Sequence, residues 1–163
     1  MASTGPPWPG MAPPLVGAHA VGSPEFYWAI IAESSILLFT VLLVLAPRWT
    51  ARSDLPRFRL VAFGAALLAS LVTLIGKLLE VWPGHPLFPS GHTAYAVTIA
   101  IFLVALDRRW LGAVVPLLAL LVLALVLAIY HVPVDIVGGA GVAILVAATV
   151  WRGCPWPRRP AAS

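Results

Sequence analysis

The stretch Pro89-Ser90-Gly91-His92 places a hydroxyl, a glycine amide and an imidazole directly before a long apolar segment. Ser90 is a favourable helix N-cap residue, and Gly91 lets a ligand approach the backbone closely. A helix that begins here has unpaired N–H groups and the positive end of its dipole at the same point, which suits an anion. The motif therefore predicts an anion-binding helix start with His92 in its first turn. The alternative is an ordinary capped helix with an interfacial histidine.

His131 and Asp135 lie four residues apart, with Pro133 between them. On a near-helical backbone their side chains share one face, so Asp135 can accept a hydrogen bond from one ring nitrogen of His131. That contact fixes the tautomer and leaves the other nitrogen as a nucleophile or base. We expect His131 just before a helix and Asp135 in its first turn. The alternative is an ordinary acid near a helix start with a neighbouring histidine.

Further charged and polar residues lie in "GKLLEVWPGHP", residues 76–86, and in "AESSILL" near the N-terminus. Lys77 could direct a cation towards an anionic ligand, with assistance from His85; the alternative is a lysine that snorkels and pairs with Glu80. Glu33 lies about two turns inside an apolar segment, where acids are costly and usually face a cavity or a partner. We therefore predict a contact between Glu33 and Lys77, with snorkelling of Glu33 as the alternative.

The elements that must position these residues are apolar helices. Of 163 residues, 61% are hydrophobic and 10% are charged, whereas soluble domains carry about 25% charged residues. Lipid satisfies no backbone hydrogen bonds, and the alternation of a membrane barrel is absent, so an all-α membrane helix bundle is expected. The sequence predicts one domain with about five transmembrane helices, at Glu25–Pro47, Leu60–Val81, Thr93–Leu106, Trp110–Tyr130 and Val134–Trp151.

The positive charges predict the orientation. Arginines lie only between alternate pairs of predicted helices and in the C-terminal tail, at Arg48, Arg52, Arg57, Arg59, Arg108, Arg109, Arg152, Arg158 and Arg159. Positive residues stay in the cytoplasm, so the N-terminus is expected outside, the C-terminus in the cytoplasm, and the histidines at the outer face. The pI is near 10.0, but the basic residues are dispersed and form no patch for nucleic acid.

The predicted organisation is a disordered, proline-rich outer tail over residues 1–24, a helical membrane domain over 25–152 and a short cytoplasmic tail over 153–163. Cys154 is the only cysteine, so no internal disulfide can form. The preference for arginine over lysine, with abundant Ala, Gly and Pro, suggests a bacterial source with a GC-rich genome. The sequence indicates no oligomeric state.

Together these segments resemble the type-2 phosphatidic acid phosphatase superfamily, the integral membrane lipid phosphate phosphatases whose fold vanadium haloperoxidases share. That family has three motifs: Lys, six residues, Arg-Pro; Pro-Ser-Gly-His; and Ser-Arg, five residues, His, three residues, Asp. Here Lys77 matches the lysine of the first, Pro89–His92 completes the second, and His131 and Asp135 match the third. The resemblance covers about Lys77 to Gly141.

The chain departs from the pattern at both arginines. Gly84-His85 stands where the first motif has Arg-Pro, and Ala124-Leu125 stands where the third has Ser-Arg. The family also commonly has six membrane spans, one more than predicted here. Arginine binds phosphoryl oxygens in a bidentate way, so the anion site is expected to rely on other groups.

The resemblance implies hydrolysis of a lipid phosphate or diphosphate at the outer face through a phosphohistidine, without metal or cofactor. His131 would attack phosphorus, Asp135 would orient it, and His92 would protonate the leaving oxygen and then activate water. Lys77, Ser90 and Gly91, assisted by His85, would hold the phosphoryl oxygens, with Glu33 and Glu80 as supporting residues. The expected partners are a phosphorylated lipid substrate and membrane lipids.

Three alternatives to this reading remain. A family member without activity could bind lipid phosphates or a membrane partner. His85, His92, His131 and Asp135 could instead ligate zinc, although no short His-x-x-x-His pair is present. Vanadate-dependent oxidation is a weaker alternative, because vanadate enzymes rely on arginines to bind the oxyanion.

Overall fold

The computed structural model describes residues 21–46, 55–81 and 87–154. These ranges contain helices and turns, as predicted for an all-α bundle. The helices are α1 (Pro24–Leu45), α2 (Leu55–Leu78), α3 (Gly91–Leu106), α4 (Leu111–Leu127) and α5 (Pro133–Gly153), with a single 3₁₀ turn, Arg108–Trp110, before α4.

Four of the helices are long and apolar enough to cross a membrane, namely α1, α2, α5 and the continuous segment Arg108–Leu127 that includes α4. The third predicted span is the shorter helix α3, whose 16 residues extend about 24 Å against a hydrocarbon core of about 30 Å. Helix α3 packs against α1, α2, α4 and α5. All of its residues are buried or half-buried, so protein rather than lipid surrounds most of this short helix.

Small residues make the helix contacts. Ala29 and Ala32 on α1, and Ala62, Ala66 and Ala69 on α2, are fully buried, whereas most leucines of the same helices are exposed, with Leu43 on α1 as a buried exception. Small side chains let helix backbones approach closely. Such packing is common in membranes, because lipid is as apolar as the helix surfaces and the hydrophobic effect does not drive helices together.

Helices α2 and α4 end with the same C-cap conformation. At the end of α2, Glu80 has φ +47° and Val81 donates to the Gly76 carbonyl; at the end of α4, Ile129 has φ +57° and Tyr130 donates to the Leu125 carbonyl. Both are Schellman caps, in which one left-handed residue closes the helix. The cap at Ile129 is why α4 ends at Leu127 and not at Tyr130 as predicted, and it leaves Tyr130 and His131 in the connection to α5.

The second helix begins at Leu55, earlier than the predicted Leu60, and so includes Pro56, Arg57 and Arg59. Proline is well tolerated in a first helical turn, and arginines there can reach the interface from their long stems.

The chain reverses direction between successive helices. The starts of α1, α3 and α5 therefore share one end of the bundle with the ends of α2 and α4. Most of both predicted tails, residues 1–24 and 153–163, lies outside the described residues. Arg48 and Arg52, between α1 and α2, also lie outside them.

Candidate active site

The Pro-Ser-Gly-His motif begins α3 as predicted. The Ser90 side chain is fully buried, and its Oγ accepts hydrogen bonds from the Thr93 amide (3.4 Å) and the Thr93 hydroxyl (3.1 Å). A serine hydroxyl has two acceptor positions and one donor, so its own proton remains the group able to contact a ligand. His92 lies in the first turn of the helix, at the end that favours anions.

Glycines on α5 and α2 allow these helices to pack closely against the loop before α3. A Cβ on Gly139 would lie 2.3 Å from the Ser90 carbonyl oxygen, and one on Gly138 would lie 2.2 Å from the Phe88 ring. On the other side, a Cβ on Gly76 would meet Pro89 at 3.4 Å. Gly138 and Gly139 therefore let α5 pack closely against this loop, whereas an added Cβ at Gly141 would have no atom within 4 Å.

The His131–Asp135 pair forms as predicted, with His131 just before α5 and Asp135 in its first turn. His131 Nδ1 lies 3.4 Å from Asp135 Oδ2, and the Val132 amide donates to the same oxygen at 3.2 Å. The Ser90 amide donates to the Asp135 carbonyl at 2.8 Å, which ties the two motifs together through the backbone. With Nδ1 engaged, Nε2 is the ring nitrogen left for chemistry.

Burial keeps His131 neutral. Its side chain is 6% exposed, and it lies in the connection between α4 and α5, outside the long helices. Burial first, and then the positive charge of Lys77 and the proximity of His92, lower the pKa of His131 to about 3. Burial therefore outweighs the neighbouring carboxylate in the resting state, and the neutral imidazole is the nucleophilic form.

The two imidazoles lie close together. The ring centroids of His92 and His131 are 6.5 Å apart, with the rings inclined at 64°. Groups at this separation can contact opposite sides of one bound phosphoryl group. The sequence interpretation depended on this proximity, because His92 and His131 are brought together only by the packing of α3 against α5.

Glu33 contacts His92 rather than Lys77, so the predicted Glu33–Lys77 contact was wrong. Glu33 Oε2 lies 3.2 Å from His92 Nε2. The physical reason is helix packing: α1 packs mainly against α3 and α4 and only slightly against α2, which carries Lys77.

Lys77, in the last turn of α2, is half-buried and interacts electrostatically with Asp135 and His131. Leu125, at the position of the third-motif arginine, is a fully buried apolar residue of α4. Its carbonyl accepts the amides of Tyr130 and His131. Lys77 is thus the nearby cation among the residues that the structure describes, and the other described cations lie towards the opposite helix ends.

Comparison with protein families identifies the chain. The PAP2 superfamily matches residues 70–159, which is more than half of the sequence. The chain belongs to the PAP2 superfamily. Comparison with curated proteins and with solved structures gave no match. With its apolar helices, this PAP2 protein has a membrane phosphatase-type fold and is a multi-pass membrane protein.

Tyr130 lies in this PAP2 site, although the sequence analysis assigned it no role. Its ring stacks on His92, with centroids 6.4 Å apart, and it is 7% exposed. Burial and then the negative charge of Glu33 raise the pKa of Tyr130, so the phenol keeps its proton. The available signal was its position beside His131, but its contact with His92 depends on the turn at Ile129.

The other predicted residues lie apart from this centre. Glu80 is exposed, and its amide caps α2 by donating to the Lys77 carbonyl. His85 lies outside the described residues. Across the described ranges, no three His, Cys, Asp or Glu side chains come together as a set that could hold a metal ion.

Proposed function

We propose that this PAP2 protein hydrolyses a lipid phosphate or diphosphate through a phosphohistidine on His131. The observation that carries the proposal is the 6.5 Å separation of the His92 and His131 rings, with Asp135 held against Nδ1 of His131. A nucleophile, its orienting acid and a second imidazole across the same space are the groups that such a reaction requires.

In the first step, His131 Nε2 forms a bond to phosphorus while the bond from phosphorus to the leaving oxygen breaks. Protonated His92 gives its proton to that oxygen, and Asp135 stabilises the positive charge that develops on His131. In the second step, His92 takes a proton from water, the water oxygen bonds to phosphorus, and the bond to His131 breaks. Inorganic phosphate leaves and both histidines return to their starting state.

The phosphoryl oxygens need donors and positive charge in both steps. Lys77, the Ser90 hydroxyl proton and the Gly91 amide at the start of α3 can provide these. Gly91 packs closely on α2, because a Cβ at this position would lie 3.3 Å from Thr73 Oγ1. The absence of a side chain thus lets the start of α3, with its free amides, lie close to the end of α2 that carries Lys77.

A lipid substrate is supported by an apolar groove between α1 and α4. The groove has a volume of about 320 Å³ and is lined by Ile30, Ser34 and Leu38 of α1 and by Leu117 and Leu121 of α4, among others. The lining residues Ile31 and Ser34 lie on either side of Glu33 in the sequence, and Glu33 contacts His92, so the groove lies on the part of α1 that adjoins the site. Hydrocarbon is the chemistry that such a surface accepts within a membrane.

The active site is proposed to face the extracytoplasmic side. The described arginines lie near the opposite helix ends, and positive residues favour the cytoplasm. Cys154, beyond the end of α5, allows a direct test as the only cysteine. A membrane-impermeant maleimide should label it in inverted vesicles and not in intact cells. Labelling in intact cells would reverse the proposed orientation.

A second candidate function is binding of lipid phosphates without hydrolysis. It is favoured by the buried Leu125 at the position of a motif arginine, because removing one preorganised donor can lower a rate by about 10²–10³. This candidate does not explain why a neutral nucleophile is held against its own carboxylate, and we therefore place hydrolysis first.

The test is phosphate release by purified protein in detergent, from polyprenyl diphosphate, phosphatidate and phosphatidylglycerol phosphate, with and without a chelator. We expect release that the chelator does not affect, and none from a folded His131→Ala variant. Acid-labile ³²P should attach to the wild type and not to the variant. Binding without release would establish the second candidate, and full activity of the variant would exclude His131 as the nucleophile.

A further inference from the structure

Glu33 is a carboxylate that α1 brings to the site from outside the PAP2 match at residues 70–159. Its Oε2 lies 3.2 Å from Nε2 of His92, a member of the Pro-Ser-Gly-His motif. The side chains of His92 and Glu33 are 20% and 47% exposed, so the pair lies at the edge of the bundle interior. The family pattern therefore assigns no role to this contact.

An acid beside an anion site needs an explanation. Negative charge repels a phosphoryl group, and acids within membrane helices are costly unless they face a partner. Glu33 has such a partner in His92, and Tyr130 stacks on that ring at 6.4 Å. A glutamate that only snorkelled to the interface would have no reason to contact the motif histidine.

The contact also determines which ring nitrogen of His92 can transfer a proton. A carboxylate that holds Nε2–H leaves Nδ1 as the site of proton transfer, because the partner of one ring nitrogen fixes the state of the other. Among the described residues, neither ring nitrogen of His92 makes an aligned hydrogen bond, and Oε2 of Glu33, at 3.2 Å, is the polar atom that lies against the buried Nε2. Each catalytic imidazole would then have its own carboxylate: Asp135 for His131, and Glu33 for His92.

We propose that Glu33 is a positioning residue for His92, holding Nε2 so that Nδ1 gives its proton to the leaving oxygen and later takes one from water. This inference rests on the proposed function, because it assigns Glu33 to the acid–base half of that reaction. It adds a residue of α1 to a site that the motifs place on α2, α3 and the start of α5.

The experiment compares two substrates of different leaving groups. An alkyl phosphate such as phosphatidate needs protonation of its leaving oxygen, whereas an aryl phosphate such as p-nitrophenyl phosphate needs little. Glu33→Gln should lower kcat/KM for the alkyl substrate by about 10–100-fold, part of the 10²–10⁴-fold of general acid catalysis, and by less than about threefold for the aryl substrate. Glu33→Asp should recover part of the loss. Glu25→Gln removes the other acid of α1 and should leave both values unchanged.

A double-mutant cycle separates positioning from a general structural effect. In a His92→Asn background, Glu33→Gln should cause no further loss, because the group through which it acts is gone. Equal losses on both substrates, or additive losses in the cycle, would overturn the proposal.

A readout independent of turnover keeps the inference separate from the proposed function. In ¹⁵N NMR spectra of histidine-labelled protein, the neutral form of the His92 ring should carry its proton on Nε2 in the wild type and change its tautomer balance in Glu33→Gln. If the wild type hydrolyses no substrate but the ring responds, hydrolysis fails and the positioning contact stands. An unchanged His92 ring would refute the contact whatever the activity.

Discussion

The two histidine–carboxylate pairs of this site differ in how the chain builds them. His131 and Asp135 are four residues apart at the start of α5, with side chains 6% and 3% exposed. His92 and Glu33 come from different helices, with side chains 20% and 47% exposed. The first pair follows from local backbone geometry, whereas the second exists only because α1 packs against α3.

This difference predicts unequal contributions to the reaction. A charge interaction in a buried site is screened less by water than one that is half exposed, so the Asp135 contact should matter more than the Glu33 contact. The Asp135 carboxylate also accepts a hydrogen bond from the Val132 amide, and its backbone carbonyl accepts one from the Ser90 amide, so several bonds fix its position. Glu33 has one such contact, to His92, among the described residues.

The largest expected effect is from Asp135→Asn. An amide can present its N–H₂ to Nδ1 of His131 and favour the wrong tautomer, and it no longer stabilises the positive imidazole. We expect kcat/KM for an alkyl phosphate to fall by about 10²–10⁴-fold, against the smaller loss for Glu33→Gln. The measurement is steady-state phosphate release, and Asp107→Asn at the opposite end of α3 is the control. Equal losses for the two carboxylates would remove the distinction between the pairs.

The sequence could predict the first pair and not the second, for the same physical reason. Spacing and Pro133 place His131 and Asp135 on one helix start, and Ser90 caps α3 through interactions within three residues. The partner of Glu33 depends on which helices are neighbours, and apolar helices with uniformly hydrophobic faces carry little information on that. Glu33 was therefore correctly predicted to lie within an apolar helix, but its partner was predicted wrongly.

The fold shows the same division between local and tertiary information. Hydropathy and segment length predicted all five helices, because both can be read from each segment without knowing its neighbours. Helix ends were less accurate: the left-handed residue Ile129 ends α4 early, and nothing in an isoleucine predicts that conformation. The role of Tyr130 was missed in consequence, because its ring reaches His92 only after this turn.

A smaller effect is expected from Gly139→Ala, which tests how closely the two motifs must pack. Its Cβ would lie 2.3 Å from the Ser90 carbonyl oxygen, so α5 and the loop must separate. A displacement near 1 Å would lower kcat/KM by about 10–100-fold. Overpacking of this kind also lowers the free energy of unfolding by about 1–3 kcal/mol. Both are measurable by phosphate release and thermal unfolding in detergent.

Gly141→Ala is the matched control for that substitution. It lies on the same helix and has no atom within 4 Å of an added Cβ, so activity should stay within about twofold of the wild type. If Gly139→Ala behaved like Gly141→Ala, the Ser90–Asp135 connection would tolerate movement, and the precise placement of the first pair would not be needed for catalysis.

The smallest expected effect concerns the turn that delivers His131 to the site. Ile129 has φ +57°, and left-handed conformations are unfavourable by about 1–2 kcal/mol for an L-residue and most unusual for a β-branched one. Ile129→Gly should raise the free energy of unfolding by about 0.5–1 kcal/mol, after the greater freedom of glycine in the unfolded chain is subtracted. Glu80→Gly, at the equivalent position of α2 with φ +47°, should give a smaller gain because glutamate is not β-branched.

A loss of stability in Ile129→Gly would mean that the contacts of the isoleucine side chain stabilise the protein by more than its left-handed backbone destabilises it. The first pair would then depend on tertiary packing as the second does.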